Sequence, residues 1–289
     1  MKNVLLTIKY DGTPFCGWQR QPNVETVQGE VERVLSILCA QQIEINGTSR
    51  TDAGVHAYGQ QASFKGDFKI PVENIKRAAN NLLHPAVKIT EVMEVPEEFH
   101  ARFDSKGKTY EYIIINSRNK DPFMENYCYF VDRPLDIDKI KRALKYIEGT
   151  HDFNCFQASG GEIRETTVRT VYKLEMDVKD LPLEEEGNAL LAEKGLDNSR
   201  VPGAKMVDDH RWFPPKKLIV KITGDGFLYN MVRIIVGTLV DVGYGKIDSE
   251  DLPEIIQGRD RTKAGHTAPA QGLYLKEIYY RTDFQDYLD

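Results

Sequence analysis

The sequence lacks the features that mark disulfide-stapled, zinc-binding and membrane proteins. Its 289 residues include only four cysteines, widely spaced and without a C-x-x-C pair, so neither a disulfide framework nor a zinc site is indicated. No apolar run approaches the roughly 18 residues of a membrane span. The N-terminus carries no apolar core followed by a small-residue cleavage site, which argues against a signal peptide. We therefore expect a globular protein of the reducing cytoplasm.

An excess of positive charge is also missing. Lysine and arginine together number 38 against 44 aspartates and glutamates, giving a net charge of −6, which does not favour binding to nucleic-acid phosphates. Residues 180–215 and 281–289 carry this acidic excess, and the remainder of the chain is neutral. A local basic cleft is compatible with this distribution, although composition does not show one.

Alternating and helical patterns follow one another along the chain and predict an α+β fold. Strands are predicted at 4–10, 43–45, 60–64, 87–95, 108–115, 168–178, 218–222 and 273–280. Helices are predicted at 27–38, 72–83, 137–147, 227–242 and 252–256. The elements group into two pseudo-repeated mixed αβ halves, 1–105 and 106–289, each with antiparallel strands and a covering helix.

Residues 180–215 interrupt this succession of predicted strands and helices. They contain the run Glu184-Glu185-Glu186 and, among their prolines, Pro202, Pro214 and Pro215. We interpret this segment as a surface insertion between two strands.

The segment 49–57 concentrates polar side chains between two predicted strands. Two interpretations fit it. Serine, threonine, aspartate and glycine are typical of a tight turn. Alternatively, Arg50 keeps the carboxylate of Asp52 ionised, so that it acts as a nucleophile or base. His56 fits a structural hydrogen bond better than a titrating role.

A second cluster is aromatic and basic: Tyr110 and Tyr112 share one strand face, shortly after Phe99, Arg102 and Phe103. Either the rings pack on the core of a sheet, or they form a stacking wall for an unstacked RNA base.

Arg233 interrupts an otherwise apolar helix. Near the core face it needs an anionic partner, for which a catalytic carboxylate is a candidate, whereas solvation on the helix surface is the alternative. The glycines at 224 and 226 do not form a G-x-G-x-x-G motif, so no nucleotide cofactor is predicted.

Several segments of the chain, in their order along the sequence, resemble the bacterial tRNA pseudouridine synthase A family. The matching segments are Tyr10-Asp11-Gly12, Phe15, Gly17-Trp18-Gln19-Arg20-Gln21, Thr26-Val27-Gln28, Arg50-Thr51-Asp52-Ala53-Gly54-Val55-His56-Ala57, His100-Ala101-Arg102-Phe103, Tyr110, Phe227, Met231-Val232-Arg233, Gly237 and Gly272-Leu273-Tyr274-Leu275. The match covers nearly the whole chain apart from the insertion and the tail.

The resemblance implies the pseudouridine synthase fold with a catalytic cleft between the halves. It also implies a homodimer that isomerises uridines 38, 39 and 40 of the tRNA anticodon stem-loop without metal or organic cofactor. Asp52 is then the catalytic carboxylate and Arg233 pairs with it. Tyr110 stacks on the flipped uracil, and Arg50 assists base extrusion or occupies the vacated stack.

The chain departs from the family pattern at position 49, where serine replaces the usual glycine. This exchange is tolerable if the backbone there does not require a positive φ. Three other functions remain open: a non-catalytic RNA-binding protein, a synthase acting on other RNA positions, and a nucleoside or glycoside hydrolase. The hydrolase would need a second carboxylate, which is not apparent near either motif.

Overall fold

The computed structural model describes residues 1–161, 165–181 and 213–287. Most of the predicted surface insertion at 180–215 lies outside the described residues. Within the described part, no helix is long and apolar enough to cross a membrane.

Ten strands and five α-helices make up this part of the chain. The strands are β1 (Lys2–Tyr10), β2 (Asn46–Gly47), β3 (His56–Gly66), β4 (Val87–Val95), β5 (Gly107–Asn116), β6 (Tyr129–Val131), β7 (Gly149–Asp152), β8 (Val168–Asp180), β9 (Lys216–Gly224) and β10 (Leu273–Tyr279). The helices are α1 (Val27–Cys39), α2 (Val72–Asn80), α3 (Ile137–Ile147), α4 (Met231–Gly243) and α5 (Leu252–Gly258).

All ten strands join one sheet, in the order β4-β1-β3-β10-β5-β9-β8-β7, with β2 on β3 and β6 on β5. Pairing is antiparallel except for β3 with β10 and β5 with β6. The predicted α+β class with antiparallel pairing is confirmed. Because β10 lies between β3 and β5, strands from both sides of residue 105 belong to one continuous sheet. The division of the chain at residue 105 remains a prediction.

Helix α1 shows why its sequence folds as it does. The side chain of Thr26 caps the helix by accepting from the Gly29 amide at 3.2 Å, a bond typical of an N-cap. Its stripe of Val27, Val31 and Val34 is fully buried. Each such side chain contributes roughly 1.5–3 kcal/mol through burial, so α1 is held on the sheet mainly by its apolar face.

Helix α4 is the most deeply buried helix described. Of its 13 residues, all but Arg233 are buried. The segment after α5 lies close along it: a Cβ built on Gly237 would come within 1.8 Å of the His266 carbonyl oxygen. Glycine at 237 therefore permits the backbone contact that brings residues 266–268 beside the first turns of α4.

Several predicted elements differ from the structure in their boundaries. The helix predicted from 227 begins at Met231 because Asn230 takes a left-handed conformation, with φ of 60°. The helix predicted to 83 ends at Asn80, whose side chain bonds both the amide and the carbonyl of Ile89. Ile43 and Ile45 are buried, but the short strand lies at Asn46–Gly47. The patterns did not indicate β6 and β7, which have only three and four residues.

We expect Gly237→Ala to lower the thermal midpoint, because the added methyl group would overlap the His266 carbonyl. Overpacking of this kind costs about 1–3 kcal/mol. Gly258→Ala is the matched control, since a Cβ there has no neighbour within 4 Å. Differential scanning calorimetry of both variants checks the expectation, and equal midpoints would contradict it.

Candidate active site

The loop between β2 and β3 carries Asp52, and it is hydrogen-bonded to the loop after β1. The amide of Trp18 donates to the Thr51 carbonyl at 3.0 Å. Gly17 has a φ of +90°, and a Cβ on it would lie 2.8 Å from the same oxygen. This close backbone contact, for which glycine is suited, fixes the position of the residues on either side of Thr51.

Residues 49–52 of this loop alternate between buried and more exposed positions. Ser49 and Thr51 are buried, Arg50 is exposed, and Asp52 is half-buried. The Thr51 hydroxyl shares a hydrogen bond of 2.7 Å with the Tyr10 hydroxyl. Because the alternate residues point inward, Arg50 and Asp52 are directed outward.

Asp52 is in direct contact with Arg233 of α4. The guanidinium Nη1 donates to the carboxylate Oδ2 at 2.9 Å, and the two side chains are 18% and 29% exposed, respectively. This partial exposure leaves the carboxylate accessible to a substrate while strengthening the pair relative to one at the surface. The Arg233 side chain is oriented further by the Ala268 carbonyl, which accepts from Nε at 2.8 Å, and by the Asn230 side-chain oxygen.

The structure contains the predicted contact between Arg233 and Asp52. Arg233 lies in the first turn of α4, so a cation distant in the chain is held against the carboxylate. Arg50, two residues before Asp52, is exposed. The interpretation that Arg50 keeps the carboxylate ionised stays a prediction.

Tyr110 projects from β5 towards the loop between β2 and β3. Its hydroxyl lies 2.7 Å from the Ser49 Oγ, and its ring meets Phe227 edge-on with centroids 5.3 Å apart. Burial, reinforced by the negative charge of Asp52, raises the pKa of Tyr110 to about 12 despite the opposing hydrogen bond from Ser49. The phenol is therefore protonated at neutral pH, and Asp52 is near enough to influence it.

The other members of the aromatic cluster are separated in the structure. Tyr112 is fully buried and donates to the Pro269 carbonyl at 2.7 Å, which is a structural role. Phe103 is exposed, and the Arg102 guanidinium lies 5.9 Å from its ring centroid. The cluster is thus not a single wall.

His56 serves the structure of the site. The Gly12 amide donates to its Nδ1 at 3.0 Å, so this nitrogen carries no proton, and Nε2 donates to the Asn126 carbonyl at 2.9 Å. Its ring stacks on Tyr274 with centroids 4.7 Å apart. Burial lowers the pKa of His56, and the Asp11 carboxylate opposes this effect. The neutral imidazole is the form that these bonds require.

Gln60 is a site residue that the sequence interpretation missed. Its fully buried amide donates to the Ser49 carbonyl at 2.5 Å and accepts from the Ser49 amide at 3.3 Å. A signal was present, because Gln60 occupies the same strand face as the apolar residues Ala62 and Phe64. A polar residue at such a position needs buried partners.

Serine at position 49 is accommodated without strain. Ser49 is not among the residues with positive φ, so the backbone there does not demand glycine. Its hydroxyl instead contacts Tyr110.

No group of three or more histidine, cysteine, aspartate or glutamate side chains within the described ranges could hold a metal ion. At this site the Asp52 carboxylate pairs with the Arg233 guanidinium, and the Ser49 hydroxyl contacts that of Tyr110.

Comparison with known proteins identifies this arrangement. The family of tRNA pseudouridine synthases matches residues 6–104 and 143–281, which include Asp52 and Arg233. The chain therefore belongs to the tRNA pseudouridine synthase family, whose members are isomerases.

Several curated relatives share its full length. The chain is 45% identical over 280 residues to tRNA pseudouridine synthase A of Ruminiclostridium cellulolyticum, with 97% of this chain and 100% of the relative covered. The proteins of the same name from Acetivibrio thermocellus and Clostridium acetobutylicum are 42% and 41% identical, with the same coverage. The similarity thus extends over nearly the whole chain.

We expect His56→Gln to reduce the loss of stability on acidification. Burial holds the pKa of His56 below its ordinary 6.5, so below that pH the unfolded chain binds a proton that the folded chain resists. This stability is present at higher pH and is lost as the pH falls through 6.5 towards the folded-state pKa.

The check is urea unfolding at pH 7.5 and 5.5. Compared with wild type, His56→Gln should show a smaller difference between the two free energies of unfolding, even if it is less stable at both. His151→Gln, on the distant strand β7, serves as the control. An unchanged pH difference in His56→Gln would show that His56 is not the titrating group.

Proposed function

We propose that this chain converts uridines 38, 39 and 40 of the tRNA anticodon stem-loop to pseudouridine, with Asp52 as the catalytic carboxylate. The observation that carries the proposal is the half-buried Asp52 held 2.9 Å from Arg233 at an accessible cleft. The family resemblance supplies the substrate positions, and the full-length relatives named tRNA pseudouridine synthase A support the substrate class.

In the proposed reaction, the bond between ribose C1′ and uracil N1 breaks, the detached uracil turns, and a bond forms between C1′ and C5. The proton on C5 is released, and N1 acquires one, so the product is an isomer of the substrate. Asp52 either attacks C1′ or assists the departure of uracil. Oxocarbenium-like ribose is stabilised by a nearby carboxylate in the same manner as in glycosidases.

Arg233 would orient the Asp52 carboxylate throughout this sequence. Its Nε and Nη1 atoms have fixed acceptors, so little reorganisation is needed when charge develops on the ribose.

Tyr110 and Arg50 would handle the base. Extruding a uridine costs a few kcal/mol, and stacking on an aromatic ring returns about 1–3 kcal/mol. Tyr110 would provide such a ring; it is 6% exposed in the structure. Arg50, exposed beside Asp52, would assist extrusion or occupy the vacated stack.

In this proposal the enzyme acts as a homodimer in the cytoplasm, without metal or organic cofactor. A dimer would let one tRNA be recognised by its shape across a broad surface, as RNA stems commonly are. Such recognition would select the three neighbouring positions without a separate site for each.

We expect Asp52→Asn to lose at least about a thousandfold in turnover while retaining tRNA binding, as removal of an essential group commonly does. The substitution preserves the shape of the side chain but removes its charge. The assay follows tritium release from tRNA labelled at uracil C5 and then maps the modified positions.

Asp67→Asn, at an exposed position just after β3, is the control and should retain full turnover. Near-wild-type turnover in Asp52→Asn would refute the assignment of Asp52. Tight tRNA binding by the wild-type chain with no release would favour the non-catalytic alternative, and release only from other positions would favour a different RNA specificity.

A further inference from the structure

We propose that Asn230 is a positioning residue for the reaction, holding the Arg233 guanidinium in the orientation in which it faces Asp52. The inference rests on the proposed function, because it assigns a part in the same chemistry to a residue that acts through Arg233.

The first observation is a shared nitrogen. Nη1 of Arg233 donates to the Asn230 Oδ1 at 2.8 Å and to the Asp52 Oδ2 at 2.9 Å. A guanidinium group is planar, and each Nη atom carries two hydrogens in fixed directions. When one hydrogen of Nη1 is committed to Asn230, the other is aimed at the carboxylate.

The second observation is the conformation of Asn230 itself. It is the N-cap of α4, where an asparagine side chain ordinarily accepts from an amide of the first helical turn. Here the side chain makes no capping hydrogen bond, and the backbone is left-handed with φ of 60°. Forgoing the cap and adopting a disfavoured backbone are both local costs, and such costs concentrate at functional sites.

The third observation is the remaining anchor of the guanidinium. The Ala268 carbonyl accepts from Nε at 2.8 Å, and the Ala268 amide donates to the Arg233 carbonyl at 3.0 Å. Two acceptors, Asn230 and Ala268, therefore fix the plane of the guanidinium from the protein side. Of these two acceptors, only that of Asn230 belongs to a side chain, so only it can be removed by a substitution.

A purely structural explanation is that asparagine is present because it tolerates a left-handed backbone. Glycine separates the two explanations. Glycine adopts this conformation more readily than asparagine, so Asn230→Gly keeps the turn into α4 and removes only the amide that contacts Arg233. Asn23 offers a matched control, because it also has a left-handed backbone, with φ of 61°, and its side chain is exposed.

The experiment compares Asn230→Gly and Asn23→Gly with wild type in single-turnover and steady-state assays on tRNA labelled at uracil C5. We expect Asn230→Gly to lose about tenfold or more in kcat, in keeping with the effect of small misplacements of reacting groups. KM and the thermal midpoint should stay close to wild type, and Asn23→Gly should match wild type in all three.

A second measurement reports on the contact independently of turnover. In low-temperature NMR spectra of ¹⁵N-arginine-labelled protein, hydrogen-bonded Nη–H groups give resolved signals when rotation of the guanidinium is slow. The Arg233 signal, assigned by its loss in Arg233→Lys, should be resolved in wild type and Asn23→Gly and broadened in Asn230→Gly.

Unchanged kcat in Asn230→Gly overturns the inference whatever the NMR signal shows. A lowered kcat with an unchanged Arg233 signal also overturns it, because Asn230 would then act by another route. If the wild-type chain releases no tritium, the proposed function fails separately, and persistence of the Arg233 signal in Asn230→Gly would still refute the positioning contact.

Discussion

The ion pair between Asp52 and Arg233 is the contact on which the arrangement of the site depends. Its members lie 181 positions apart in the chain, one in the loop before β3 and the other in the first turn of α4. Breaking a partly buried pair leaves the remaining charge poorly compensated. The loop after β2 and the start of α4 are therefore constrained to face one another.

Beneath this pair lies a layer of buried polar groups whose hydrogen bonds are internal. Thr51 contacts Tyr10, Ser49 contacts Tyr110, and Gln60 bonds the backbone of Ser49. Buried polar groups are costly unless paired, so this layer disfavours other conformations of the loop. As a result, Asp52 and Arg50 face outward, and the Asp52 carboxylate is accessible from the surface of the protein.

His56 and Asn230 both form side-chain hydrogen bonds, but these bonds have different roles. The hydrogen bonds of His56 require its neutral form and tie the loop after β1 to the segment before β6, so His56 contributes stability. Asn230 forgoes its helix cap to contact Arg233.

The sequence by itself determined the α+β class, most helices and strands, and Asp52, Tyr110 and Arg233 as the residues of interest. Hydrophobic periodicity and ordered motifs are local properties, and they can be read without the fold. Only the tertiary structure decided that Arg233 contacts Asp52. It alone placed β10 between β3 and β5 and gave Gln60 and Asn230 their partners. Those contacts join positions far apart or depend on backbone conformation, which packing fixes and local pattern does not encode.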